Sequence, residues 1–241
     1  MTGFRFEPIG VARTPFTDKF GIPRQPGLAD AAGRILLHPP YDRAEAFAGL
    51  DGFSHVWLLW VFHDDCLDAG WQPTVRPPRL GGRQKVGVLA SRAPYRPNPI
   101  GLSAVAHHGL SRHADGLALE VSGVDLLDGT PVLDIKPYVP YADALPQAAS
   151  GFARKEPARR FAVRLTEQAA AAVAARDPHG ALGLARLIEQ VIAQDPRPGY
   201  MERYPERRHF GLRLYDCDIR WRLDGDTAIV ERCVPGVTAS R

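Results

Sequence analysis

The chain has 241 residues, of which 45% are apolar, enough for one large or two modest hydrophobic cores and too apolar for a disordered chain. Its net charge is only +3, so local patches rather than a global field would have to attract a polyanion. The first residues lack an apolar leader, no run approaches the ~20 apolar residues of a membrane span, and Cys66, Cys217 and Cys233 form no CxxC pair. These features point to a soluble cytoplasmic protein with neither a disulfide framework nor a metal site.

In chain order, Phe4, Phe6, Ile9 and Val11 alternate as a first strand, followed by a loop, Lys19 to Gly27, that joins Arg24 to prolines on both sides. Asp42 to Gly49 reads as a short helix capped by Asp42. Phe53 to Phe62 is so apolar that it is buried on both faces or lines a barrel. Val86 to Ala90, Leu102 to Leu110, the alternation Leu117, Leu119, Val121 and Val132 to Ile135 supply further strands, with turns at Asp115-Gly116 and Asp128-Gly129. Many short strands with few helices argue an all-β barrel or sandwich over roughly residues 1–140, and no GxGxxG follows a strand, which disfavours a Rossmann site. Residues 137–157 read as a linker.

Beyond the linker the pattern changes. Phe161, Val163 and Leu165 make a strand, Thr166 caps an Ala-rich helix to Arg176, and Leu184, Ala185, Ile188, Val191 and Ile192 recur at helical spacing. Phe210, Leu212, Leu214 and Ile219, Trp221, Leu223 alternate, and Asp224-Gly225 turns the latter into Thr227 to Cys233. This is a small α+β domain.

Three stretches carry chemistry. Thr74 to Gly101 holds six cations (Arg76, Arg79, Arg83, Lys85, Arg92, Arg96) and no carboxylate among five prolines and four glycines. Stiff Pro-Arg segments hold cations at set distances and lower the ordering cost of binding an anion; a Pro-rich connector with solvated arginines has the same composition. His63-Asp64-Asp65-Cys66 closes the apolar strand, and packing suits its thiol better than nucleophilic catalysis. In Val124 to Tyr138, Asp125 and Asp128 flank a tight turn while Asp134 and Lys136 share a strand face. The pattern fits both a plain hairpin with a surface ion pair and a ligand site.

Pro23-Arg24-Gln25-Pro26-Gly27, Phe53-Ser54-His55-Val56-Trp57, Arg76-Pro77-Pro78-Arg79-Leu80-Gly81-Gly82, Tyr95-Arg96-Pro97-Asn98-Pro99-Ile100-Gly101, Asp128-Gly129-Thr130-Pro131 and Asp134-Ile135-Lys136-Pro137-Tyr138 closely resemble the TsaA-like family. Within it the match is to the bacterial tRNA (adenine-N6)-methyltransferases, and it extends to Gln194-Asp195-Pro196-Arg197-Pro198 and Asp218-Ile219-Arg220-Trp221. The resemblance implies a mainly β fold. Residues 1–145 would be a non-Rossmann β-barrel binding S-adenosylmethionine, and residues 158–241 a small α+β domain that contacts tRNA. It implies transfer of a methyl group to N6 of threonylcarbamoyladenosine at position 37 beside the anticodon, by a homodimer. A non-catalytic RNA-binding barrel and a same-fold methyltransferase on another small substrate are the alternatives.

Carried over motif by motif, the cofactor contacts are Pro23, Arg24, Gln25, His63, Asp64, Arg92, Leu102, Asp125, Leu126, Leu127 and Asp128. Asp64 departs from the family, where an amide follows that histidine. Asp128, Asp134, Tyr138 and His63 are the candidates for a general base toward the N6 proton. Tyr95, Arg96, Asn98, Lys136, Arg197 and Tyr200 are the candidates for tRNA, whose loop bases can splay and stack on aromatic rings.

Overall fold

The computed structural model describes residues 3–63, 70–77, 80, 84–154 and 158–236. The chain divides into two compact units, the first formed by residues 1–13, 33–123 and 129–154, the second by residues 14–32, 124–128 and 155–241.

The first unit is built on a closed six-stranded barrel. Its strands are β1 (Gly10–Arg13), β2 (Ala32–Leu37), β3 (His55–Val61), β6 (Ile100–His113), β7 (Gly116–Ser122) and β8 (Pro131–Pro137), in the ring order β1-β2-β7-β6-β3-β8. A separate two-stranded ribbon pairs β4 (Thr74–Val75) with β5 (Val86–Gly87). Alternation decides what faces inward: Val56, Leu58 and Trp60 of β3, Leu117, Leu119 and Val121 of β7 and Val132 of β8 are all buried. On β6 the inward positions are Gly101, Ser103 and Val105, so Ile100 and Leu102 are exposed on the outer face despite being the larger apolar residues. A bulge at His107/Leu110, where Gly109 takes φ +88°, lets the long β6 turn with the barrel.

Three expectations are corrected here, and one strand was missed. Phe4 and Phe6 are exposed and lie outside any strand, because β1 starts only at Gly10. Residues 42–49 form no α-helix; two 3-10 turns, Ala44–Phe47 and Leu50–Gly52, stand there with no side-chain cap and no buried residue. Val86 to Ala90 is a strand only at Val86–Gly87 and then a 3-10 turn that buries Val88. β2 was hidden in sequence: Gly33 and Arg34 break its alternation, yet Ile35 and Leu37 are core.

The second unit carries a mixed sheet in the order β10-β11-β12-β9. Its strands are β9 (Ala162–Leu165), β10 (His209–Leu214), β11 (Cys217–Asp224) and β12 (Thr227–Pro235), and β9 runs parallel to β12. After a one-turn helix α1 in the first unit (Pro140–Asp143), two longer helices follow here, α2 (Glu167–Arg176) and α3 (Leu184–Ala193). Thr166 caps α2, its Oγ1 accepting from Ala169 N at 3.2 Å. At the start of α3 the N-cap is Gly183, which has no side chain to offer, and Asp177 Oδ2 accepts from Leu184 N at 3.1 Å. The buried face of α3 is Leu184, Leu187, Ile188, Val191 and Ile192, each contributing roughly 2 kcal/mol; Ala185 points to solvent and Leu187 takes its place.

Candidate active site

His63 stands just beyond β3, and its Nε2 lies 2.9 Å from Oγ1 of Thr130, a residue 1% exposed at the start of β8. Thr130 is fixed through its backbone: its carbonyl accepts from Ala12 N at 2.8 Å, and Gly129 (φ +83°) donates back to Ala12 O at 2.8 Å. The Asp-Gly-Thr-Pro run therefore seats a hydroxyl against the histidine. Sequence reasoning quoted Thr130 in that run but gave it no role.

The Arg-Pro-Asn-Pro-Ile-Gly run has two structural jobs. A Cβ on Gly101 would lie 2.3 Å from the Trp60 indole, whose Nε1 donates to Ser103 Oγ at 3.0 Å, so only glycine fits against that ring. Arg96 turns back on its own loop, donating to Ser91 O at 2.6 Å and Val88 O at 3.2 Å. Its guanidinium braces residues 88–96, while Arg92 and Asn98 are exposed and Tyr95 is half-buried. Asp64, Arg79, Arg83, Gly81 and Gly82 lie outside the described residues.

On the outer face of the β3–β8 pair, Asp134 and Lys136 form an ion pair at 2.7 Å, and Tyr138 packs on Trp57 with ring centroids 5.4 Å apart. Register sets Asp134 opposite Leu59, and Leu59 opposite Leu102 on β6. Asp134 and Leu102 thus flank Leu59 on one face, two strand spacings or about 10 Å apart. Tyr138 is elsewhere: its N–H bonds His55 O, at the end of β3 away from His63. The length of β3 separates the two, about 20 Å.

In the second unit, the 124–128 segment locks onto residues 14–16. Thr14 N donates to Asp128 Oδ1 at 2.9 Å, Thr14 Oγ1 donates to Leu126 O at 2.8 Å, and Asp128 N donates to Phe16 O at 2.7 Å. Leu126 is 1% exposed and its carbonyl is engaged, so its side chain is core; Asp125, Leu127 and Asp128 are half-buried. Pro23 is buried and Arg24 exposed, and both border a cavity of about 20 Å³ beside Gln194 and Asp195. That is room for a water molecule, not a nucleoside.

The Gln-Asp-Pro-Arg-Pro run organises this unit. Asp195, 6% exposed with φ +56°, accepts from Arg197 Nε at 2.7 Å, Arg197 Nη2 at 2.9 Å and Arg160 Nη1 at 3.1 Å. Burial alone would push its carboxyl up; the hydrogen bonds and charge of Arg197, with Arg160, outweigh burial and hold it below the usual range. Arg197 in turn lies over the Phe161 and Phe210 rings, 5.1 and 5.2 Å from their centroids. Its side chain is only 17% exposed, whereas Tyr200 is 58% exposed.

Residues 11–144 match the tRNA-methyltransferase O N-terminal domain and residues 158–236 the TrmO C-terminal domain. The chain belongs to the tRNA-methyltransferase O family. A relative from Escherichia coli (strain K12), the "tRNA (adenine(37)-N6)-methyltransferase", is 45% identical over 227 residues, spanning 92% of this chain and 94% of that protein. A Pseudomonas aeruginosa protein described as "Putative S-adenosylmethionine-dependent methyltransferase RcsF" is 50% identical over 215 residues, 89% of this chain and 90% of its own length. The crystal structure of TrmO from Pseudomonas aeruginosa superposes with a TM-score of 0.79 at 41% identity, covering 97% of this chain and 99% of that one. The mainly β fold of this tRNA-methyltransferase O member, a closed barrel plus an α+β unit, is the one the family resemblance implies, where the strand pattern alone left barrel or sandwich open.

Proposed function

We propose that the chain is an S-adenosylmethionine-dependent methyltransferase that places a methyl group on N6 of adenine 37 in tRNA, and that this adenine carries the threonylcarbamoyl group. The likeness over 92% of the chain to the Escherichia coli enzyme named for the adenine 37 reaction carries the proposal. When bound, S-adenosylmethionine supplies an electrophilic methyl carbon whose sulfur leaves as a neutral thioether. The donor set suits it. Arg24 and Arg92 are exposed cations fitted to its carboxylate, Asp125 and Asp128 are acceptors for its ammonium and ribose hydroxyls, and exposed Leu102 offers apolar surface to the adenine. His63, Pro23, Gln25 and the 126–127 backbone complete the proposed contacts, with Asp64 beside them in sequence.

The chain's own work is to align N6 with that carbon and to receive the N6 proton. Alignment is worth ~7–11 kcal/mol, and a positioned base adds ~10²–10⁴-fold. Asp134 is the base we favour, because its carboxylate shares the outer β8–β3–β6 face with Leu102 and is 43% exposed. Tyr138, at the far end of β3, is then a packing partner of Trp57. Asp128 accepts from Thr14 N and serves the segment's shape as well as its ligand.

The test is mass spectrometry of nucleosides from threonylcarbamoylated tRNA after incubation with protein and S-adenosylmethionine. Gain of one methyl group on that nucleoside is expected; an unchanged mass with folded, cofactor-loaded protein would refute the proposal. RNA binding without cofactor binding in calorimetry would make the chain a non-catalytic RNA binder. Asp134→Asn should lower kcat about a hundredfold and leave cofactor affinity intact.

We further propose that residues 1–145 perform catalysis and residues 158–241 hold the tRNA, with Tyr95, Asn98 and Lys136 contributing from the former and Tyr200 from the latter. Arg96 and Arg197 act there by bracing their own loops. A homodimer is proposed from the exposed Ile100 and Leu102, 41% and 50% accessible, which a second copy would cover; sedimentation velocity reads this directly. A tRNA substrate sets the cytoplasm as the compartment. Among the described residues no helix is long and apolar enough to cross a membrane.

A further inference from the structure

The second unit contains a cavity of about 140 Å³ that none of the cofactor residues touches. Its walls are aromatic and cationic: Phe20, Tyr200, Phe210 and Trp221 supply rings, Arg197 and Arg207 supply guanidinium groups, and among the described residues no carboxylate lines it. The rings and planes are pre-set. Phe210 lies against Trp221 with centroids 4.8 Å apart, and Asp195 holds Arg197 over Phe210 with its guanidinium carbon 5.2 Å from the ring centroid. Arg207 reaches to 6.0 Å from the same ring. Trp221 is 1% exposed, so its ring is held rigidly in this wall.

We propose that this cavity takes a single unpaired nucleobase of the RNA, one other than the adenine that is methylated. The proposal rests on tRNA being the partner. A void of roughly 150 Å³ admits one six-membered ring, so a base enters while its sugar and phosphates stay at the mouth. Arg207 lines the cavity and is exposed, as are Arg203 and Arg208 close by in sequence. Aromatic rings and planar guanidinium groups suit a base face of any sequence. Size and lining both exclude the reacting adenine, which must share its site with a cofactor. Because Arg197 is already immobilised, the wall loses little freedom on binding. The captured base would fix the register of the loop.

Anticodon stem–loop RNAs carrying 2-aminopurine at each loop position in turn test this by titration with the full chain. Emission at one position should be quenched on binding as that base stacks. Tyr200→Ala should abolish the quench and weaken RNA binding roughly ten- to a hundredfold, Tyr200→Phe should retain both, and Arg207→Ala should weaken binding and flatten its salt dependence. Tyr200 and Arg207 are exposed, so the variants keep the fold; unchanged S-adenosylmethionine affinity checks it. Quenching at no position, or quench and affinity unchanged in Tyr200→Ala, overturns the proposal. Methylation of the unlabelled RNA is scored separately. Quenching without methylation sinks the assigned reaction and leaves the base site intact, whereas methylation without quenching sinks the base site alone.

Discussion

Replacing Arg197 by alanine should destabilise the second unit before it touches RNA recognition. The substitution strips Asp195 of two charged donors, at 2.7 and 2.9 Å, and leaves it with Arg160 Nη1 at 3.1 Å and the backbone N–H of residue 197 at 3.3 Å. Breaking a buried pair costs about 3–5 kcal/mol. The two surviving donors set the value at the low end, about 3 kcal/mol, which includes the lost contacts with Phe161 and Phe210. At ~1.4 kcal/mol per decade, amide hydrogen exchange in β10 to β12 peptides should accelerate on the order of a hundredfold. Peptides from β3 and β6 serve as the internal standard. Removing both charges, in Asp195→Asn with Arg197→Met, should cost less than the two single changes added together. The pH dependence has a definite sign. The folded Asp195 carboxyl is held low, so its contribution is present above the unfolded value near ~3.9 and is lost as pH falls through the folded one. The advantage of the native chain over Asp195→Asn should therefore shrink below about pH 4. Unchanged exchange in β10 to β12, with tRNA affinity lost in Arg197→Ala, would refute the reasoning and return Arg197 to the role of an RNA contact.

Gly101→Ala should drive a methyl group into Trp60 and disturb its bond to Ser103, lowering stability of the barrel by about 2–3 kcal/mol in urea unfolding at constant m; a change under half a unit of that scale would mean the indole moves freely. Thr130→Val keeps the shape but removes the partner of His63 Nε2, and should cost about 1–2 kcal/mol by the same measurement. Burial pushes the Cys217 thiol up to about 12, with Cys233 beside it adding to the shift, so both should resist iodoacetamide at pH 8 until denaturant is added. Site-resolved mass spectrometry showing native Cys217 alkylated would contradict this.

The strands that sequence disclosed are those in which alternation and burial coincide. β7 and β11 present large apolar residues to one side and were readable on that basis, whereas β3 was readable as a continuous apolar run that buries Val56, Leu58 and Trp60 and leaves Trp57, Leu59 and Val61 half-buried. Where the two part company, pattern misleads. Phe4 and Phe6 alternate without a neighbouring strand to bury them, and β6 buries Gly101 and Ser103 while exposing Ile100 and Leu102. The inversion has a physical cause: the Trp60 indole fills the interior beside β6, leaving space there only for small side chains. Residues 44–47 lack an apolar stripe for an α-helix to bury, which leaves 3-10 turns at the Asp42 segment. Thr130 was missed because a hydroxyl in a turn is ordinary in sequence; only the register of β3 with β8 brings it to His63.

Arginines in the Pro-rich runs show the same limit more sharply. Sequence supplies their charge and the stiffness around them, and both properties suit an anion. Yet Arg96 donates to two carbonyls of its own loop and Arg197 to Asp195, so each commits donors to the backbone or a buried acid. A guanidinium with five donors next to prolines, which withhold backbone N–H groups, is an efficient way to hold an irregular segment rigid. Rigidity of this kind aids a transferase whose chief task is alignment, since a displacement of about 1 Å at the reacting atoms costs as much as losing a base. The arginines that contact RNA phosphates should then be those without such ties to prolines and buried acids, such as exposed Arg203, Arg207 and Arg208. Alanine at each should reduce the salt slope of tRNA binding by about one, while Arg96→Ala should leave the slope unchanged and loosen residues 88–96.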